Sequence, residues 1–137
     1  MEVTHVKSTP GARYHINYHL VWCPKYRCPV LVGKIQERLQ GLLGEIAERW
    51  GIEVVAQEVM PDHIHLFVSA PPKFSPAQLA QLFKGTTSRV LRQEFPTEID
   101  RHIWKVGTLW APSYDVGTAG HVSASVIKRY ILECQKL

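Results

Sequence analysis

The strongest chemical signal in this chain is the stretch Met60-Pro61-Asp62-His63-Ile64-His65-Leu66-Phe67, two histidines bracketing one aliphatic residue. Alternate residues of a β-strand point to the same face, so His63 and His65 would project side by side while Ile64 and Leu66 turn to the other face. Two imidazoles in parallel on a rigid strand make half of a metal site. The same spacing also suits two strand residues on a solvated face, so its meaning depends on what the rest of the chain supplies. Glu58 and Asp62 lie close in sequence and are suited either to ligate or to orient an imidazole from outside the coordination shell. Histidine ligands alone favour zinc or manganese over magnesium, which prefers oxygen.

A second group is Lys128-Arg129-Tyr130, a phenol beside two cations. Tyr130 shares a helical stripe with Val126, Ile127 and Cys134, at offsets of three or four residues, the ordinary place of an amphipathic tyrosine. As a functional group it would be a nucleophile towards a phosphodiester. A phenol of pKa about 10 is protonated at neutral pH and needs activation, which a metal and nearby cations provide.

The cations cluster by segment. Lys25 and Arg27 share a loop bracketed by Pro24 and Pro29; Lys84, Arg89 and Arg92 follow one another on a helix, with the small side chains of Gly85-Thr86-Thr87-Ser88 among them. Lys105 precedes Trp110 and Tyr114, aromatics on which an unstacked base could lie. Together they suit a backbone track for single-stranded nucleic acid, and the net charge of +4 fits a polyanionic partner.

The elements that must position these groups are legible from periodicity. At 137 residues the chain is one domain, 1–137. Residues 1–12 are expected to be flexible, and 13–22 read as a strand. Ile35, Leu39, Leu42, Leu43, Ile46 and Trp50 recur at helical spacing, and Gly51 supplies the stop. Residues 52–59 form a second strand, Pro61-Asp62 a turn, and 63–69 a third strand carrying the histidines. Ser75-Pro76-Ala77-Gln78 is a capped helix start, and Leu79, Leu82, Phe83, Val90 and Leu91 give that helix its buried stripe. Leu109 to Val116, interrupted by Pro112, reads as an edge strand or an extended segment. A hinge at 117–122 then precedes a last helix, 123–137. The order β-α-β-β-α-β-α predicts an α+β fold. It is a ferredoxin-like or RRM-like antiparallel sheet with helices on one face, plus a C-terminal helix bearing the tyrosine.

Several classes fall away. No apolar run approaches the roughly 18 residues of a membrane span. The segment Met1 to Lys7 has no signal-peptide core, which argues against secretion and for a cytoplasmic protein. Cys23, Cys28 and Cys134 are an odd set for a disulfide framework, and Cys23 and Cys28 have no second pair to make a zinc site.

The motifs, taken in order, resemble a known family. Tyr18-His19-Leu20-Val21-Trp22-Cys23-Pro24-Lys25-Tyr26-Arg27 is similar to the opening strand and loop of the small HUH single-tyrosine transposases of bacterial and archaeal insertion sequences. Met60 to Phe67 resembles their HUH strand, Phe83-Lys84-Gly85 their second-helix motif, and Leu109-Trp110 with Ser113-Tyr114 their late aromatic segment. Lys128-Arg129-Tyr130-Ile131 resembles the helix with the catalytic tyrosine.

The resemblance implies cleavage and rejoining of single-stranded DNA at insertion-sequence ends through a 5′-phosphotyrosine intermediate, with Mg²⁺ or Mn²⁺ as cofactor. It also implies a prokaryotic, nucleoid-associated homodimer that recognises subterminal hairpins and shares its active sites between subunits. Tyr130 would be the nucleophile, His63 and His65 metal ligands, and Lys25, Arg27, Lys84, Arg89, Arg92 and Lys105 the DNA-binding cations. The family's third ligand is a glutamine four residues after the tyrosine. That position here is Cys134, and Gln135 comes one later. At ~100° per residue, four steps return to within ~40° of Tyr130 and five move ~140° away. The third ligand therefore stays open among Gln135, Cys134, Glu133 and water, and a thiolate would favour softer metals. Two other readings compete: a non-catalytic, RRM-like binder of single-stranded nucleic acid (a transposase relic), and a hydrolytic metalloenzyme for small phosphates.

Overall fold

The alternation along His63–Ser69 organises the architecture, because one set of its residues is apolar and the other carries the imidazoles. A computed structural model of the chain describes residues 7–9, 11–14, 16–103 and 109–119. Its main sheet holds β3 (Asn17–Trp22), β4 (Glu53–Met60), β5 (His63–Ser69) and β6 (Asp115–Ala119), in the order β4-β5-β3-β6 with antiparallel pairing throughout. Helix α1 (Gly33–Arg49) crosses from β3 to β4 and α2 (Pro76–Glu94) from β5 towards β6. This βαββαβ order with β3 and β5 central is the expected ferredoxin-like topology. A short α3 (Pro96–Asp100), which the periodicity did not suggest, follows α2 and buries Ile99.

Leu20, Trp22, Ile64, Leu66 and Val68 all face the helices and are at most 2% exposed. They meet Leu39, Leu43 and Ile46 of α1 and Leu79, Phe83 and Leu91 of α2 in one core. Each such side chain stabilises the fold by roughly 1.5–3 kcal/mol when fully buried. Trp50, expected on the buried stripe of α1, instead caps the helix and is 42% exposed, with its ring edge-on to Phe74. The α2 start forms as expected: Ser75 Oγ accepts from Gln78 N at 3.1 Å, and Gln78 Oε1 accepts from Ser75 N at 2.8 Å.

Four boundaries differ from the sequence reading. The stretch expected to be flexible through residue 12 contains a hairpin, β1 (Lys7–Thr9) with β2 (Ala12–Tyr14), turning at Gly11 with φ +85°. Lys7 ties it to Glu53 at 2.7 Å. The strand read over 13–22 is thus two, β2 and β3. The edge strand begins at Asp115, not Leu109, because Pro112 has no N–H to donate to a ladder. Its pairing runs through Gly117, Thr118 and Ala119, so the first half of the expected hinge is strand. Residues 120–137, where the tyrosine helix is expected, and Lys105 lie outside the described residues. No described helix is long and apolar enough to cross a membrane.

Candidate active site

The β4–β5 hairpin sets the histidines. Met60 pairs with His63 across the Pro61-Asp62 turn, and Leu31 N donates to Pro61 O at 3.0 Å, pinning the turn to the body. His63 and His65 then share the face away from the helices, ring centroids 5.2 Å apart and nearly perpendicular at 82°. An open cleft of about 710 Å³ lies over them, lined also by Arg27 and Asp62 near the hairpin and by Tyr114 and Asp115 at the β6 edge.

Asp62 Oδ1 lies 2.7 Å from His63 Nδ1. Burial works to raise the Asp62 pKa, but the hydrogen bond to His63 and the Arg27 guanidinium at 3.2 Å outweigh it and hold the carboxyl below its usual range. An ionised carboxylate only accepts, so His63 Nδ1 donates the hydrogen of this bond and Nε2 is the ring nitrogen left for a ligand. This is the carboxylate–histidine arrangement that orients metal-binding imidazoles. Of the two carboxylates considered, Asp62 takes the orienting place. Glu58 pairs with His65 across the strands and is exposed.

His65 has a partner that sequence reasoning missed. His19, on β3, places Nε2 2.9 Å from His65 Nδ1. Its ring lies over Phe67 with centroids 4.1 Å apart and planes within 4°. Burial first, and a neighbouring imidazole second (His65 for His19, His63 for His65), push both His19 and His65 down to about 4, so both are neutral at neutral pH. The donor set fits a divalent cation: two imidazoles whose Nδ1 atoms are both engaged in hydrogen bonds, leaving both Nε2 atoms for a ligand. Among the described residues, no group of three His, Cys, Asp or Glu forms a complete metal shell. Tyr130 and the third-ligand candidates Glu133, Cys134 and Gln135 lie outside the described residues.

The described cations fall into two separate groups. Arg27 lines the cleft and Lys25 begins the 3₁₀ turn beside it. The α2 residues instead sit on the helical side of the sheet. Arg92 pairs with Asp100 at 3.1 Å, and Arg89 is exposed. Lys84, read as a DNA cation, donates to the carbonyls of Ala111 and Ser113 at 2.8 and 3.3 Å, and its ammonium lies over the Tyr114 ring; burial lowers its pKa. It shapes the segment that enters the cleft wall.

Trp110, expected to stack a base, is 1% exposed; its Nε1 donates towards Lys84 O and Thr87 Oγ1. Thr87 and Ser88 likewise turn inward, Ser88 Oγ accepting from Leu109 N at 2.9 Å. The exposed aromatic beside the cleft is Tyr26, 79% accessible. It and Arg27 both adopt left-handed backbone, φ 61° and 50°, a conformation that L side chains rarely take and that clusters at functional sites. Cys23 and Cys28 are free thiols.

A ferredoxin-like sheet with a histidine pair on its open face defines a domain of the HUH class. Comparison with known proteins specifies it. The family described as "Transposase IS200 like" matches residues 12–134. The ISDra2 transposase TnpA of Deinococcus radiodurans is 38% identical over 126 residues, 92% of this chain and 89% of that protein. The transposase for insertion sequence element IS200 of Salmonella typhimurium is 28% identical over 88% of this chain and 78% of its own length. A crystal structure assigned as a transposase of Deinococcus radiodurans superposes with a TM-score of 0.74 at 37% identity, covering 93% of this chain and 96% of that one. A REP-associated tyrosine transposase bound to a REP hairpin shares the fold, with a TM-score of 0.59 at 12% identity over 90% of this chain and 68% of that one. This chain belongs to the IS200-like family of single-tyrosine transposases.

Proposed function

We propose that this transposase cleaves and rejoins single-stranded DNA at insertion-sequence ends through a 5′-phosphotyrosine on Tyr130. The observation that carries the reading is the pair His63 and His65 at the foot of an open cleft, with His63 locked by Asp62 as a metal-binding imidazole would be. His63 and His65 would hold Mg²⁺ or Mn²⁺, with a third ligand among Glu133, Cys134, Gln135 and water. When bound, the ion would polarise the scissile phosphate and favour the phenolate. The Tyr130 oxygen attacks phosphorus as its proton leaves. The new P–O bond replaces the bond to the 3′ oxygen, which takes up a proton as a free 3′-hydroxyl. The reverse attack by a 3′-hydroxyl rejoins strands without an external energy source.

Lys25 and Arg27 are suited to the DNA backbone, and Tyr26 takes the base-stacking place that buried Trp110 does not. Recognition of a subterminal hairpin and a homodimer with shared active sites are further parts of the proposal. The hairpin-bound relative supports the first at the level of fold.

The test is to incubate the full chain with Mn²⁺ and a hairpin-flanked single-stranded DNA, and to look for an adduct that survives denaturation. The expected result is an adduct with the natural chain and none with Tyr130→Phe. Tyr26→Ala should weaken DNA binding roughly tenfold, within the range of one lost base stack. Salt-dependent binding without any adduct, unaffected by His63→Ala, would instead make the chain a non-catalytic single-strand binder.

A further inference from the structure

We infer that His19 is a positioning residue that holds His65 in its Nδ1–H tautomer, so that the metal-binding face is built by β3 and β5 together. The inference rests on the proposed metal role of His65. The register opposes His19 to Phe67 and Val21 to His65, so His19 reaches His65 diagonally across the strand pair. Its ring is held for that reach by stacking on Phe67, and both imidazoles are buried, 8% and 4% exposed.

At 2.9 Å, the two ring nitrogens must share one proton. If His19 Nε2 donated, the proton of neutral His65 would sit on Nε2 and block that atom as a ligand. If His65 Nδ1 donates, its Nε2 keeps a lone pair. The second arrangement is the one that Asp62 imposes on His63. The two histidines are thus oriented by different means, one from its own hairpin by a carboxylate and the other from the neighbouring strand by an imidazole. Loss of such outer partners typically weakens metal binding 10- to 100-fold.

The experiment uses two variants of the full chain. His19→Phe keeps a ring on Phe67 but has no acceptor; His19→Gln keeps an acceptor without the ring. Mn²⁺ binding is titrated by the loss of the free-ion electron paramagnetic resonance signal. Long-range ¹H–¹⁵N correlation reads the His65 tautomer in the metal-free natural chain. We expect the proton on His65 Nδ1, at least tenfold weaker Mn²⁺ binding in His19→Phe, and a smaller loss in His19→Gln. A proton on His65 Nε2, or an unchanged Mn²⁺ affinity in folded His19→Phe, overturns the inference. If His19→Phe does not fold, the tautomer in the natural chain decides alone. Failure of the natural chain to bind Mn²⁺ overturns the metal reading instead, while the tautomer still scores the His19–His65 bond.

Discussion

The two faces of the main sheet are made from alternate residues of the same strands, yet they meet opposite requirements. On the helical face, Leu20, Trp22, Ile64, Leu66 and Val68 are buried among apolar neighbours from α1 and α2. Packing there needs shape and volume and no particular proton. On the other face, His19, His63 and His65 are held by hydrogen bonds whose direction decides what each ring can do. Because the strand period is two, a slip of one residue in β5 would exchange the faces and lose both. The core face thus supplies register, and the histidine face uses it.

The sharpest way to separate the faces is to damage one at a time. His63→Ala should abolish DNA adduct formation, while changing stability by about 1 kcal/mol, the usual worth of one lost hydrogen bond. Gel assay and urea unfolding read the two effects. An unfolded or fully active His63→Ala protein would break the comparison. Leu66→Ala, three positions along on the other face, should cost about 2–5 kcal/mol in urea unfolding, the usual range for a buried leucine. A loss below 1 kcal/mol would mean that the helical face tolerates cavities.

A third measurement asks whether the buried imidazoles contribute to pH-dependent stability. His19 and His65 are pushed down to about 4, whereas an unfolded chain titrates near 6.5. Between those values the unfolded state binds more protons, so stability rises with pH. For the chain in chelator, stability should be fully present above pH 6.5 and fall as the pH drops towards 4, with a shallower slope in His19→Phe. A flat profile over that window would contradict the burial of neutral rings. The smallest effect belongs to the helical layer: Ser75→Ala should cost about 1 kcal/mol through loss of the α2 cap, seen as a lower urea midpoint.

What was legible beforehand follows local physics. The α1 stripe (Trp50 apart), the Ser75–Gln78 capping box and the Pro61-Asp62 turn all depend on residues within a few positions of one another, and all three formed. The misreadings involve distant partners. Trp110 looked like a stacking platform until Thr87 and the Lys84 carbonyl claimed its indole N–H. Nor could the sequence show that the Ala111 and Ser113 carbonyls hold the Lys84 ammonium. The hinge began too early because Gly117 signals flexibility in a sequence, whereas here it pairs opposite His19.

Sequence alone determined that His63 and His65 share a face, since strand geometry requires it, and the ordered motifs placed the chain among the single-tyrosine transposases. Only the tertiary structure decided which groups orient those imidazoles. Asp62 is adjacent in sequence, but its role depends on the hairpin turning its carboxylate back onto His63 Nδ1. His19 stands 46 residues from His65, and strand pairing brings its ring within hydrogen-bonding reach. Periodicity specifies the direction of a side chain from its own backbone; the partner it meets depends on register between strands, which is set by the packing of the whole core.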